Sequence, residues 1–431
     1  MERYFLEPYR FIPPYRSTFW CRLAGGLVKR HLRRKLGVVR WHFEGTELLQ
    51  QSLNQKAGIL LTPNHCRWAD PLVLGALSIH MRQYLYYVAS YHLFRQNKIM
   101  GWVLNRIGGY SIWREGADRE SLRTTSEILA SAERPVVLFP EGTWFRQNDR
   151  VGPLQDGLSL ITRQAVRQAN RPIVVHPVGV KYWFLDDPMS AILARLEALE
   201  QRIGWHPQRQ LSLLERIEKL GTALLTLKEI EFLGSPQTGR LDDRIAHLIG
   251  TQVGRIELQF LKKNFPGLPL ERIRRLRQQL SRQLLDKATD KAHQAELKRV
   301  LADLLCCENL NAHSLAYLSE HPSPERLAET ILRIEETITD RLEVPIARMG
   351  AAVRIGPALD ARASENERRG GESLVGRLRT AMQEQIDQLL RQGPPAEWKV
   401  TAPRLLPTHS PTTHAGQPAV TSASAVNQLI G

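Results

Sequence analysis

The chain has little that would tie it to an oxidising compartment or thread it through a bilayer. Only four of its 431 residues are cysteine (Cys21, Cys66, Cys306 and Cys307), and their spacing matches neither a disulfide framework nor a metal cluster. A reducing, cytoplasmic setting is therefore expected, with no metal. No run of about 18 apolar residues occurs, so a conventional transmembrane helix is not expected. The first forty residues lack the apolar centre and small-residue cleavage site of a secretory signal. Acidic side chains are also short: 44 Asp and Glu face 59 Lys and Arg, a formal charge of +15. Such a deficit calls for an anionic partner. A nucleic acid is not expected as that partner, because the excess gathers near an aromatic N-terminus and not across a recognition fold.

What is present begins with that N-terminus. Residues 1–40 interleave basic side chains with Tyr4, Phe5, Tyr9, Phe11, Tyr15, Phe19 and Trp20. Wound as a helix from Ser17, Phe19, Trp20, Leu23 and Leu27 share one arc, with Arg22, Lys29, Arg30 and Arg33 beside it. That is the composition of an interfacial helix on an anionic membrane surface. From Leu48 to Leu185, short Val-, Ile-, Leu- and Tyr-rich runs alternate with helical patterns. The strand candidates are 58–62, 83–89, 109–113, 135–139 and 172–180, and the alternation implies an α/β layer with a largely buried sheet. Residues 188–343 read as helix almost throughout, with acidic and basic side chains nearly balanced, as on the solvated faces of a bundle. A short strand at 352–355 and a helix from Ser373 to Leu390 follow. From Gly393 the chain is rich in Pro, Thr, Ser and Ala, and residues 393–431 are expected to be disordered.

The chemistry-bearing stretch is Asn64-His65-Cys66-Arg67-Trp68-Ala69-Asp70-Pro71, directly behind the apolar run Gly58–Thr62. A histidine and an aspartate five positions apart, where a strand gives way to a helix, can act as a base and its orienting carboxylate toward a hydroxyl. Arg114, at a strand end, suits bidentate phosphate contact. Gly142 and Thr143, leaving another strand, offer backbone N–H groups and a hydroxyl to a phosphate. Glu141 cannot favour a phosphate by charge; it fixes the loop or accepts from a hydroxyl.

These blocks, in this order, resemble the glycerolipid acyltransferase family, whose members acylate glycerol-3-phosphate and lysophosphatidic acid. His65 to Asp70 resembles the first block and Gly108–Arg114 the second. Phe139-Pro140-Glu141-Gly142-Thr143 matches the third, and Pro177 within Val174–Val178 looks like the fourth. The resemblance covers roughly residues 40–185. It implies His65 and Asp70 as catalytic residues, and Arg114, Glu141, Gly142, Thr143, Arg146 and Pro177 as substrate-binding ones, with Pro177 shaping the acyl pocket. It implies no cofactor: acyl-CoA or an acyl carrier protein would be the co-substrate, and a lyso-phospholipid the acceptor. A peripheral position on the inner face of the membrane follows from the basic aromatic N-terminus.

The chain departs from the family at Arg67, where a small hydroxyl residue is common, at Ser111 for Phe, and at Trp144 for Arg. Arg146, two residues on, is the candidate to restore the missing charge. The family also closes its domain with a strand and a final helix soon after the fourth block. Here the similar pattern comes only at Val353–Ala358. Residues 188–343 are therefore expected to be a helical insertion into one domain. The expected organisation is 1–40 membrane-contacting segment, 41–187 first part of the acyltransferase domain, 188–343 insertion, 344–392 last strand and helix, and 393–431 tail. The fold class expected is α/β: a mostly buried mixed sheet flanked by helices, with a large all-helical insertion.

Overall fold

A computed structural model describes residues 9–116, 118–144, 146–286, 289–311, 313–339, 345–362 and 373–403. The chain enters along the sheet edge: Ser111 N–H donates to the Ile12 carbonyl, and Ile12 N–H to Ser111 Oγ. Ser111 thus pins the entering segment, a use that a phenylalanine could not serve. Helix α1 (Phe19–Lys35) follows, then β1 (Val38–Glu44), α2 (Thr46–Asn54), β2 (Gly58–Pro63), α3 (Asp70–His80), β3 (Tyr86–Ser90), α4 (Tyr91–Gln96) and α5 (Lys98–Arg106). Next come β4 (Gly109–Ile112), α6 (Arg119–Ser131), β5 (Val136–Val137), α7 (Gly157–Gln168) and the long β6 (Ile173–Phe184). Helices α8 (Met189–Arg202), α9 (Leu213–Leu233), α10 (Leu241–Leu261), α11 (Pro269–Leu285), α12 (Lys291–Asn311), α13 (Leu315–Glu320) and α14 (Pro324–Thr339) form the helical stretch. The chain then returns through β7 (Met349–Ile355), β8 (Leu359–Asp360) and α15 (Leu374–Gln392).

Among the described residues the strands form one mixed sheet in the order β1-β7-β6-β2-β5-β3-β4, with β8 also on β6. The stretch from β2 to β4 is parallel, whereas β6 and β7 run antiparallel. The late strand β7 therefore lies inside the sheet, between β1 and β6, and α8 to α14 are an insertion between two of its strands. Strand β1 falls outside the sequence-based candidates. It is an edge strand, half exposed along its length, so it lacks the apolar run that marks its neighbours.

Strand β6 is buried over its whole length, but β2 pairs with it only as far as Pro63↔Val178. Beyond that point side chains replace the missing strand. Asn64 accepts from Val180 N–H at 2.7 Å and donates to the Val180 carbonyl at 3.0 Å. Asn148 does the same for Tyr182, and Glu325 Oε1 accepts from Phe184 N–H at 2.8 Å. Buried backbone groups need such partners, so these polar residues hold the far half of β6 in place.

The insertion is built in two parts. Helices α8 and α14 share one apolar cluster with the sheet, through Ile192, Leu196, Leu327 and Ile331 against Val178 and Tyr182. Helices α9 to α12 have a separate core, including Leu225, Leu248, Val253, Ile273 and Leu297. A single device recurs at three successive helix junctions. Buried Glu200, Glu229 and Glu257 sit about 28 residues apart. Each holds the arginine of the next helix in a two-pronged ion pair: Arg216, Arg244 and Arg272, with closest N···O of 2.7 Å. Each also accepts a backbone N–H from the intervening loop, of Gln208, Gln237 and Phe265. The insertion is thus a short helical repeat with one clasp per turn.

The ordered chain also runs further than its composition implies. Trp398 is buried against Trp183, and Thr401 N–H donates to the Leu185 carbonyl at 2.8 Å. The rest of the expected tail, from 404, lies outside the described residues, as do residues 1–8.

Candidate active site

The His65–Asp70 block is the turn between β2 and α3. Asp70 is the first residue of α3, where a carboxylate is favoured by the helix dipole and free N–H groups are at hand. It is fully buried, and every partner is a donor. Its Oδ2 accepts from Cys66 N–H at 2.8 Å and Arg67 N–H at 2.9 Å, and its Oδ1 from the Tyr182 hydroxyl at 2.7 Å. The fourth partner is His65 Nδ1, 2.8 Å from Oδ2. With a carboxylate so surrounded by donors, Nδ1 carries the ring proton, and Nε2 is left with its lone pair. The ring lies 4.3 Å from the Phe139 ring, centroid to centroid, and lines a cavity of about 890 Å³. This arrangement can take a proton at Nε2 and return it. Cys66 is no rival nucleophile: burial, then the Asp70 charge, pushes its thiol well above the usual range.

The third block forms the opposite lip. Glu141 Oε1 accepts from His65 N–H at 3.2 Å, so the two blocks are tied through the backbone of the histidine itself. Burial pushes the Glu141 carboxyl up to about 8, and its Oε2 is buried without a hydrogen-bond partner, as suits a neutral acid. Glu141 therefore carries little charge at neutral pH and adds little repulsion toward an anion in the cavity. Gly142 sits at φ 68°, a left-handed conformation that favours glycine, with the Gln155 side chain packed against its Cα.

Arg114, Gly142, Thr143 and Arg146 all line the cavity with His65. Arg114 donates to the Gly142 carbonyl at 3.3 Å, and its Nε has no partner. Arg146 is differently disposed from the expectation that it restores a free charge. Its guanidinium pairs with Glu336 on α14 and lies over the Trp144 ring. Pro177 is buried within β6 and is not among the cavity-lining residues. It occupies the short gap where β6 changes partner from β8, at Val175, to β7, at Val178, a place that suits a residue without an N–H. His176, beside it, is packed away with Nδ1 on the Gly356 carbonyl and Nε2 against Ser52.

Two unusual residues of the motifs face the insertion or the loop. Buried Arg67 reaches Glu329 of α14 at 3.7 Å and lies over the Tyr182 ring. Trp144 donates from Nε1 to the Cys66 carbonyl at 2.7 Å and meets Trp68 edge-on, tying the third block to the first. The insertion also supplies cavity wall: Arg274, Arg277 and Gln278 from α11, and Glu308 from α12. Sequence reasoning passes over these. Their i, i+3, i+4 spacing marks one helix face, but an Arg- and Gln-rich face is equally what a solvated helix shows. At the other end the cavity is lined by Ala24, Gly25 and Val28 of α1 and Leu104 of α5.

The fold and the site's geometry can be set beside known proteins. Residues 40–181 match the family model described as Acyltransferase. The chain is 27% identical over 124 residues to a 1-acyl-sn-glycerol-3-phosphate acyltransferase of Streptococcus pneumoniae (strain ATCC BAA-255 / R6), covering 29% of this chain and 43% of that relative. It is 28% identical over 183 residues to the Bacillus subtilis (strain 168) protein of the same name, covering 42% of this chain and 85% of the relative.

Proposed function

We propose that this protein is a peripheral membrane O-acyltransferase of phospholipid synthesis. It moves a fatty acyl group from a thioester, of coenzyme A or an acyl carrier protein, to the hydroxyl of a lysophosphatidic acid-like acceptor. The observation that carries this reading is the His65 ring, fixed through Nδ1 on a buried carboxylate and lining a long cavity. In the reaction, Nε2 takes the proton of the acceptor hydroxyl as its oxygen attacks the thioester carbonyl. The tetrahedral adduct collapses with loss of the C–S bond, and the thiolate leaves with the proton returned from the imidazolium. Asp70 remains ionised throughout and stabilises the charged ring. Arg114 faces the same cavity and suits the acceptor's phosphate. The names of the two relatives point to the same acceptor class.

Membrane attachment rests on a second feature. Phe19, Leu23 and Leu27 of α1 are exposed, and so are Ile99, Met100, Trp102 and Val103 of α5. Trp20 and Trp102 meet at 4.9 Å, so the two apolar faces adjoin, and exposed Arg22, Arg30, Arg34, Arg95 and Lys98 rim them. Apolar side chains ringed by cations suit the surface of an anionic bilayer, here the inner face of the membrane. The adjoining cavity wall from α1 and α5 gives an acyl chain a route from lipid to His65. Among the described residues no helix is long and apolar enough to cross a membrane.

One experiment addresses both parts. The purified protein is incubated with labelled acyl-CoA and a panel of lyso-lipids carried in anionic or neutral vesicles. Products are identified by mass, and the vesicles are pelleted. The expected product is phosphatidic acid, with the protein in the anionic pellet at low salt and released at high salt. Transfer to none of the acceptors would overturn the enzymatic reading, and equal binding to neutral vesicles the electrostatic one.

A further inference from the structure

We infer that Arg274, supplied by the helical insertion, joins Arg114 to hold the phosphate of the acceptor, in place of the arginine missing after Glu141-Gly142-Thr143. This rests on the acceptor reading above and names the part of the insertion that meets the substrate.

The two arginines come from distant parts of the chain and hold successive carbonyls of one turn. Arg114 donates to the Gly142 carbonyl at 3.3 Å, and Arg274 to the Glu141 carbonyl at 2.8 Å. Both line the cavity that His65 lines. Among the described residues neither forms an ion pair with a carboxylate, whereas other arginines nearby are neutralised. Arg277 is held between Glu115 and Glu308, Arg146 by Glu336, and Arg272 by the Glu257 clasp. Glu271, on the same helix as Arg274, caps the start of α11. Exposed Arg275 stacks on Phe265.

A guanidinium has five N–H donors in a fixed fork. Arg114 and Arg274 each spend one on a carbonyl in the hydrogen bonds above, which leaves the two forks for a second acceptor at the same turn. The cost of leaving them so is visible at Arg274: burial, with Arg277 adding to it, lowers its pKa even though Glu308 and Glu141 pull the other way. A dianionic phosphate beside the turn would relieve both side chains. Position 144 cannot serve, because Trp144 is bound to Cys66, and Arg146 is folded over it toward Glu336. The Glu257–Arg272 clasp sets the rotation of α11 and so presents Arg274, Arg277 and Gln278 to the cavity.

The test has a binding arm and a kinetic arm. sn-Glycerol 3-phosphate, a soluble carrier of the headgroup, is titrated calorimetrically into the wild type, Arg274→Gln, Arg114→Gln, Arg274→Lys and Arg282→Gln. The last removes one exposed charge from the same helix, and thermal melts check folding throughout. Arg274→Gln is expected to weaken binding about tenfold to hundredfold, as for loss of charge-assisted hydrogen bonds. Arg274→Lys should recover part of that loss, and Arg282→Gln should match the wild type. In the kinetic arm Arg274→Gln should raise KM for lysophosphatidic acid about tenfold with kcat within about twofold, and leave KM for acyl-CoA unchanged. A wild type without saturable glycerol phosphate binding, or an Arg274→Gln variant equal to it in both arms, would overturn the inference. Failure of the wild type to acylate any acceptor would instead sink the enzymatic reading, and the binding arm would still decide the arginine site.

Discussion

The helical repeat from α8 to α11 and the turn after β5 both bury glutamates, and they treat them in opposite ways. In the insertion Glu200, Glu229 and Glu257 each receive a two-pronged arginine and a backbone N–H. At Glu229 burial alone would raise the carboxyl, but the Arg244 hydrogen bonds outweigh it and hold the group below its usual range. In the turn after β5 Glu141 has no arginine on its carboxylate among the described residues; Oε1 accepts from His65 N–H, Oε2 is unpartnered, and burial pushes the carboxyl up to about 8. Paired ions serve to fix the register of one helix on the next. An acid kept neutral beside the cavity suits the anionic acceptor proposed above. One region uses charge for architecture, and the other removes charge to keep a site open.

Most of the proton chemistry is assigned to the sheet, and the sharpest check is His65→Ala. Loss of the proposed general base is expected to lower kcat/KM about 10³-fold. Stability should hardly change, since Asp70 keeps Cys66 N–H, Arg67 N–H and the Tyr182 hydroxyl as donors. Steady-state kinetics and urea denaturation read the two halves. A variant with full activity would remove the sheet's claim to the chemistry, and one that fails to fold would show His65 to be architectural.

The insertion should answer in the reverse manner. Glu229→Ala leaves Arg244 buried without its partner, at a cost of about 3–5 kcal/mol. The low native pKa of Glu229 adds a sign. Its contribution is present above the unfolded carboxylate range and is lost as pH falls toward the native value, so the gap between wild type and variant should narrow in acid. Urea melts at neutral and acidic pH measure both effects. A loss below about 1 kcal/mol would mean that the clasps are surface-like ion pairs.

What was legible in the sequence divides along the same line. His65 and Asp70, Arg114, and residues 141–143 each lie within single turns or strand ends, so local order and spacing were enough to single them out as candidates. The buried strands β2 and β6 declare themselves by short apolar runs. By contrast β1, with Arg40 and His42 among its apolar residues, is an ordinary half-wet edge, and its pairing with β7 joins residues some three hundred positions apart. The place of β7 in the sheet follows from the family's closing strand and not from any periodicity. Arg274 and the clasps leave no local trace: a glutamate and an arginine about fifteen residues apart look like two solvated charges until α8 to α11 are stacked. Arg67 and Trp144 read as departures in a motif, and only their contacts to Glu329 and Cys66 give them a purpose.

The effect that vanishes in acid is also the most direct test of the contrast, because it runs opposite to Glu229. Glu141→Gln keeps an acceptor for His65 N–H and cannot ionise. Since the native carboxyl is raised to about 8 above an ordinary unfolded value near 4.5, the folded wild type holds a proton that the unfolded chain releases. Wild-type stability should therefore fall as pH climbs from about 4.5 to about 8 and level off beyond, while the variant escapes that slope. The two should match near pH 4.5. At pH 9 the glutamine variant should be the more stable, by ~5 kcal/mol if the site stays rigid and about 2 kcal/mol once water reaches the carboxylate. Urea melts across that range decide it. Parallel curves would mean that Glu141 ionises freely in the folded protein, and a negative charge would then stand just behind the cavity wall, where the proposed chemistry needs none.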